Sequence, residues 1–235
     1  MTTLADQTVL VTGANRGLGR EFVEQLLSRG VAKVYAAARN PDPSTEDPRV
    51  VPLRLDVTDP DSIARAAAAA EDVGVLINNA GISTPTPVLS ADTTNLRREL
   101  EVNLFGPLAV TSAFADGLAD RSGAVVSVAS VLSWLAIGGS YSVSKAALWS
   151  ATDAMRLDLA PRGVQVVGVY MGYVDTDMAA GVDAPKTAPA DVVRQVLDGL
   201  EAGKSEVLAD QTARQARATL DRSVEERYAL FAPTH

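Results

Sequence analysis

Val9-Leu10-Val11-Thr12-Gly13-Ala14-Asn15-Arg16-Gly17-Leu18-Gly19-Arg20 carries a β-branched apolar run into three glycines, and a helical pattern follows at Glu21, Phe22, Val23 and Leu26. A strand, a tight turn and a helix start share one stretch. Glycines let the backbone turn sharply and let an anion approach the free N–H groups of the first helical turn, where the helix dipole adds to the attraction. The ligand suited to such a turn is a phosphate or pyrophosphate, in a β-α-β context usually that of a dinucleotide. The spacing is G-x-x-x-G-x-G, and a glycine-rich turn without a ligand would look the same from these residues alone.

Outward from that stretch, short apolar runs alternate with longer helical patterns. The expected strands are Thr8–Thr12, Lys33–Ala37, Val50–Leu53, Val75–Asn78, Ala124–Ala129, Val164–Val169 and Glu206–Leu208. The expected helices are Arg16–Arg29, Asp61–Ala70, Asp92–Ala119, Tyr141–Ala160 and Asp191–Ala202, with a further helical tail over Asp210–Phe231. Strands separated by helices predict right-handed β-α-β units: an α/β fold, a Rossmann-type doubly wound parallel sheet of about seven strands with helices on both faces. No repeat, linker or shift of composition divides residues 1–235, so one domain is expected. Open sheets of this kind bind ligands at the carboxyl ends of their strands, here Gly13–Gly19, Arg39, Asp56-Val57, Asn78–Gly81, Ser130 and Met171–Thr176.

Composition narrows the chemistry. A net charge of −8 and the lack of any Lys/Arg-rich run argue against nucleic acid as a partner. The first residues lack the basic and apolar regions of a signal peptide, and no apolar stretch is expected to reach the roughly 20 residues of a membrane span. A cytoplasmic protein without a membrane partner is the expectation. There is no cysteine, and the only histidine is His235. Cysteine nucleophiles, thiolate metal sites and Ser-His-Asp hydrolysis are thereby excluded, and no metal set is expected. Chemistry must come from Ser, Tyr, Lys, Arg or carboxylates.

Arg39 stands 20 residues after Gly19, where an NAD-specific site would place an acid on the ribose hydroxyls. Arg16, inside the glycine turn, adds a second cation. Together they suit a phosphate on the adenosine ribose, which favours NADPH over NADH. Asp56 could accept from the adenine amino group or merely stabilise its turn. Tyr141 and Lys145 lie at i and i+4 on one helix face, where an ammonium would lower the phenol's pKa toward the working pH. Ser130, ending a strand, could hydrogen-bond the same reacting oxygen.

In one order the chain carries Thr12-Gly13-x-x-x-Gly17-x-Gly19, Asn78-Asn79-Ala80-Gly81, Asn103, Ser130 and Tyr141-x-x-x-Lys145. From about Thr8 to Ala202 it resembles the short-chain dehydrogenase/reductase superfamily. The resemblance implies hydride transfer between a nicotinamide cofactor and a carbonyl/alcohol pair. Tyr141 would be the general acid/base, with Lys145 lowering its pKa and holding the nicotinamide ribose. Ser130 would polarise the carbonyl, and Asn103 would hold a water that relays protons to Lys145. The cofactor set comprises Gly13, Asn15, Arg16, Gly17, Leu18, Gly19, Arg39, Asp56, Val57, Asn79, Ala80, Gly81, Tyr141, Lys145, Gly172, Val174 and Thr176. Thr176 would contact the carboxamide. The basic pair resembles the NADP-preferring branch, and a homodimer or homotetramer is implied through the helices near Asp92–Ala119 and Tyr141–Ala160.

Three features depart from the family pattern. Met171-Gly172 replaces the usual Pro-Gly pair. The interval from Ser130 to Tyr141 is two residues shorter than usual, which keeps Ser133 as a rival serine. The substrate lid near 179–190 is brief. The expected pocket walls are Ile82–Pro87, Leu132–Ile137, Met171–Tyr173 and Met178–Ala184. They include Trp134, Leu135, Ile137, Met171 and Tyr173 and no Lys or Arg, which favours uncharged ketones or aldehydes. The reading is therefore an NADPH-dependent carbonyl reductase, in reverse an alcohol dehydrogenase, acting on a small molecule. A 3-oxoacyl-thioester reductase and a non-catalytic NADP-binding regulatory module are the alternatives.

Overall fold

The computed structural model describes residues 2–44 and 46–229. Seven strands, β1 (Thr8–Thr12), β2 (Lys33–Ala38), β3 (Val50–Arg54), β4 (Val75–Asn78), β5 (Ala124–Val128), β6 (Gln165–Tyr170) and β7 (Glu206–Leu208), form one parallel sheet in the order β3-β2-β1-β4-β5-β6-β7. The expected strands are all present, with ends displaced by at most one residue. Val11 of β1 sits between Ala36 of β2 and Ile77 of β4. From β1 the chain winds one way to β2 and later the other way to β4. A crevice opens at that reversal, above the carboxyl ends of the strands.

Both faces of the sheet are covered, which is why its central strands are apolar throughout. Helices α1 (Gly17–Ser28), α2 (Pro60–Ala69), α3 (Thr94–Leu100), α4 (Gly106–Asp120), α5 (Ser140–Leu159) and α6 (Pro189–Glu201) supply the layers. Phe22 and Leu26 of α1 join Val192, Val193 and Val196 of α6 on one face. Ile63 of α2, Phe114 of α4 and Met155 of α5 pack on the other. Pro60 opens α2 behind the Asp59 cap, whose side chain accepts from the Asp61 N–H.

Three sequence expectations need correction. The long helix over Asp92–Ala119 is found as α3 and α4, joined by a wide turn at Glu101–Phe105 in which the Gly106 N–H reaches the Glu101 carbonyl five residues back. Pro107 explains the turn, because it has no N–H to give the Asn103 carbonyl in an ordinary helical ladder. The combined run Thr94–Asp120 does have the length and hydropathy of a membrane span, contrary to expectation. Here it lies in the helical layer, in contact with α2 and α5. The tail expected as one helix is two short ones, α7 (Gln211–Arg217) and α8 (Val224–Tyr228). Ser223 and Glu226 start the second with reciprocal capping bonds. The last two residues of that expected tail, Leu230 and Phe231, lie outside the described residues.

Candidate active site

A crevice of about 1670 Å³ runs over the carboxyl ends of the strands. That exceeds the roughly 300–1,000 Å³ of an ordinary small-ligand pocket and leaves room for a dinucleotide and a second molecule. Its floor at one end is the glycine turn. Gly13 and Gly17 have φ of +68° and +53°, and a Cβ on Gly19 would collide with the Gly13 carbonyl. Only glycine fits this tight cradle. Arg16 precedes α1 in extended conformation and caps it with no side-chain bond, so the first N–H groups of α1 are left to a ligand. These features fit the pyrophosphate of a dinucleotide.

The cradle is held from β1 and β4. The Asn79 side-chain amide donates to the carbonyls of Thr12, at 2.8 Å, and Gly13, at 3.3 Å, while the Thr12 hydroxyl oxygen accepts from the N–H groups of Asn79 and Ala80 at 3.0 Å each. Asn78 takes no part: its side chain turns away to Thr111 on α4. Asn15 donates to the Asn40 carbonyl at 2.7 Å, fastening the turn to the segment after β2. Leu18, Val57, Gly81 and Val174 also line the crevice.

Beyond β2 the crevice is lined by Arg39, exposed and, among the described residues, without an ion pair. Arg16 meets Asp177 at 3.4 Å with both side chains more than three-quarters exposed, a pair weak enough for a phosphate to displace. Asp56 lines the same end. Its Oδ1 accepts from the Thr58 N–H at 3.0 Å and the Thr58 hydroxyl at 2.8 Å. The Thr58 N–H is the main reason its carboxyl titrates below the usual range, with Thr58 hydroxyl and Arg39 charge adding. Asp56 thus stabilises its turn and still borders the crevice.

At the other end Ser130, Tyr141 and Lys145 share one wall. The Ser130 oxygen accepts from the Leu132 N–H at 3.1 Å, which leaves its proton to give. Ser133 does not line the crevice; its hydroxyl donates to the Lys145 carbonyl at 2.9 Å and holds the start of α5. Lys145 is buried, its Nζ donating to the Val128 carbonyl at 2.9 Å and lying 5.7 Å from the centre of the Tyr141 ring. Burial lowers its pKa to about 8. The expectation that it lowers the Tyr141 pKa is not met in this geometry. Burial drives the phenol upward, the charge of Glu99 adds to that, and the lysine is itself desolvated and committed to Val128.

Asn103 stands behind the wall. Its Oδ1 accepts from the Ile82 N–H, and its Nδ2 donates to the Ile82 carbonyl and the Ser144 hydroxyl, all at 2.9–3.0 Å. Both Nδ2 donors and one of the two acceptor positions of Oδ1 are used, so Asn103 positions the 82–87 segment. The segment after β6 folds over the glycine turn, with the Thr176 methyl 3.3 Å from where a Gly17 Cβ would be. The Gly172 N–H donates to Asp210 at 2.7 Å, so that donor is not free for a cofactor. Asp210 also caps α7 through the Ala213 N–H. Sequence reasoning missed it, although an Asp opening a helical tail is a capping signal.

Leu132, Leu135, Ile137, Met171, Tyr173 and Met178 line the substrate side. Two expectations fail there. Trp134 is buried against Tyr170, with ring centres 4.4 Å apart, and does not reach the crevice. Arg98 and Glu101 do border it, so the lining is not free of arginine. The brief lid loses its last two residues, Pro189 and Ala190, to α6.

Residues 7–187 match the short chain dehydrogenase family. Human retinol dehydrogenase 5 is 36% identical over 197 residues, 77% of this chain and 61% of that protein. The chain therefore spans less than two thirds of that relative's length. A short chain dehydrogenase from Burkholderia cenocepacia J2315, solved in complex with NADP, is 39% identical with a TM-score of 0.92, over 99% of this chain and 100% of that one. An NADPH-bound carbonyl reductase from chicken fatty liver is 26% identical with a TM-score of 0.76, over 86% and 93%.

Proposed function

We propose, from the premise that the chain belongs to the short-chain dehydrogenase/reductase family, that it is an NADPH-dependent carbonyl reductase, in reverse an alcohol dehydrogenase, for neutral apolar ketones or aldehydes. Membership carries the coarser part: an oxidoreductase that interconverts CH–OH and C=O with a nicotinamide cofactor. The observation that supports the finer part is one continuous crevice. It has Ser130, Tyr141 and Lys145 at an end lined by Leu132, Leu135, Ile137 and Met171 and the glycine turn with Arg16 and Arg39 at the other.

When bound, the nicotinamide cofactor gives or takes the hydride. The chain's own residues do the rest. The uncapped N–H groups of α1 and the glycine turn hold the pyrophosphate. Arg39 and Arg16 meet the ribose phosphate; at about 1.5–3 kcal/mol for a charged hydrogen bond, even one such contact favours NADPH roughly tenfold or more. The crystallised relative that holds NADP supports that preference. Ser130 donates to the substrate oxygen, and Tyr141 moves the proton to or from it. Lys145, its Nζ 5.7 Å from the centre of the Tyr141 ring, holds the ribose. The partly covered face of α5, with Ala146, Ala147 and Ala151, supports a homodimer or homotetramer through α4 and α5.

The test measures oxidation of NADPH and of NADH with a panel of neutral ketones and aldehydes, with Tyr141→Phe as control. Turnover with NADPH that vanishes in the variant, while cofactor still binds, supports the reading. Equal use of NADH overturns the arginine argument alone. Tight NADPH binding without turnover on any carbonyl turns the choice to the thioester reductase, tried next with acyl thioesters, and then to the non-catalytic module.

A further inference from the structure

Glu99 is fully buried on α3, one helical turn before Asn103. Its Oε1 accepts from the Thr84 N–H at 2.6 Å and the Thr84 hydroxyl at 3.2 Å, while its Oε2, among the described residues, has no hydrogen-bond partner. Thr84 belongs to residues 82–87, the segment after β4 that borders the substrate side. A buried carboxylate with an orphan oxygen is costly, so an apolar side chain would serve packing better. The cost points to a use.

We infer that Glu99 is a positioning residue that couples the placement of the 82–87 segment to the acid/base work of Tyr141. This rests on the reductase reading of the site. Two neighbouring contacts make the segment a shared mechanical part: Ile82 is held by Asn103, and the Thr86 N–H donates to the Ser140 hydroxyl at the start of α5, beside Tyr141. Glu99 fixes the middle of it. The elements packed against α3 are α5 and the wide turn at Glu101–Phe105. Their titratable groups nearest the site are Tyr141 and Lys145 on α5 and Glu101, exposed at the crevice rim. On α3 itself Arg97 and Arg98 are exposed, and 82–87 carries no charge. The negative charge of Glu99 favours the protonated phenol, in the same direction as burial. Glu99 therefore acts on the substrate wall through Thr84 and on the ease with which Tyr141 yields its proton through its charge.

Glu99→Gln separates the two roles, because it keeps the oxygen that accepts from Thr84 and removes the charge. In the complex with oxidised cofactor, the 13Cζ resonance of Tyr141, assigned by its loss in Tyr141→Phe, should titrate about half a pH unit or more lower in Glu99→Gln than in the parent. The acidic limb of kcat/KM for alcohol oxidation should move the same way, with KM nearly unchanged. Glu99→Ala should exchange the Thr84 amide about tenfold faster and raise KM several-fold; Glu99→Gln should leave that exchange near the parent rate. An unmoved Tyr141 titration in Glu99→Gln, or unchanged Thr84 exchange in Glu99→Ala, overturns the coupling. Should the parent turn over no alcohol or carbonyl, the reductase reading fails, while the resonance and the exchange still decide the role of Glu99.

Discussion

Lys145 carries its charge on a buried side chain in the crevice wall. Its pKa falls from 10.5 to about 8 because burial penalises the ammonium, a shift that corresponds to about 3 kcal/mol. Below pH 8 both the folded and the unfolded chain hold the proton, and the penalty stands in full. Between about 8 and 10.5 the unfolded chain holds more protons, so the contribution to stability rises with pH; above 10.5 the penalty is gone. Lys145→Met should accordingly be more stable than the parent at pH 7. The gain should be about 2 kcal/mol after allowing about 1 kcal/mol for the lost bond to the Val128 carbonyl. The gain should shrink toward pH 10, and catalysis should be lost. Denaturant titrations at the two pH values check this. Arg39→Asp belongs to the same scale: removing the cation and adding an acid should raise the Kd for NADPH tenfold or more while leaving NADH binding equal or better, measured by fluorescence titration.

At the scale of elements, Asp210 connects two that the sequence treats separately. One of its oxygens caps α7 and the other receives the Gly172 N–H after β6. Asp210→Ala should lose about 2–4 kcal/mol, the sum of a cap and a charged hydrogen bond, and raise the Kd for cofactor. Asp210→Asn, which keeps one accepting oxygen, should recover part of both in urea unfolding and titration. The strands were legible because each is a compact apolar run, and the glycine turn because three glycines follow a strand where a positive φ favours glycine. Tyr141 and Lys145 were legible as a pair through their i, i+4 spacing, and Ser130 joined them through the family resemblance. The wide turn at Glu101–Phe105 was not read, although Pro107, interior to the expected helix over Asp92–Ala119, is a break signal; it occupies the first turn of α4. Glu99 and Asp210 escaped for a common reason. Their partners, Thr84 and Gly172, lie 15 and 38 residues away, and no local pattern announces a bond of that reach.

On the scale of the whole molecule, the sheet brings remote stretches to one rim. Gly13, Arg39, Asn79, Ser130 and Gly172 come from the ends of β1, β2, β4, β5 and β6, so a ligand spanning the crevice bridges most of the sheet. Cofactor should therefore stabilise the entire domain. NADPH at about 100 times its Kd contributes about 2.7 kcal/mol. For a chain of this size that predicts a rise in Tm of about 5–10 °C, observable by calorimetry. NADH at the same concentration should give a smaller rise.

The packing of Trp134 on Tyr170 has an optical consequence. The chain has two tryptophans, Trp134 and Trp149, and their rings meet edge to face at 6.2 Å, in a cluster with Val131 and Leu135 that borders the crevice. Indole emits in the band where a reduced nicotinamide absorbs. Both emitters lie behind the substrate wall, in the cluster of Val131 and Leu135, so excitation energy should pass from them to the reduced cofactor, quenching the protein's own light and brightening the ligand's. The molecule contains, without any label, the lamp by which its occupancy can be watched.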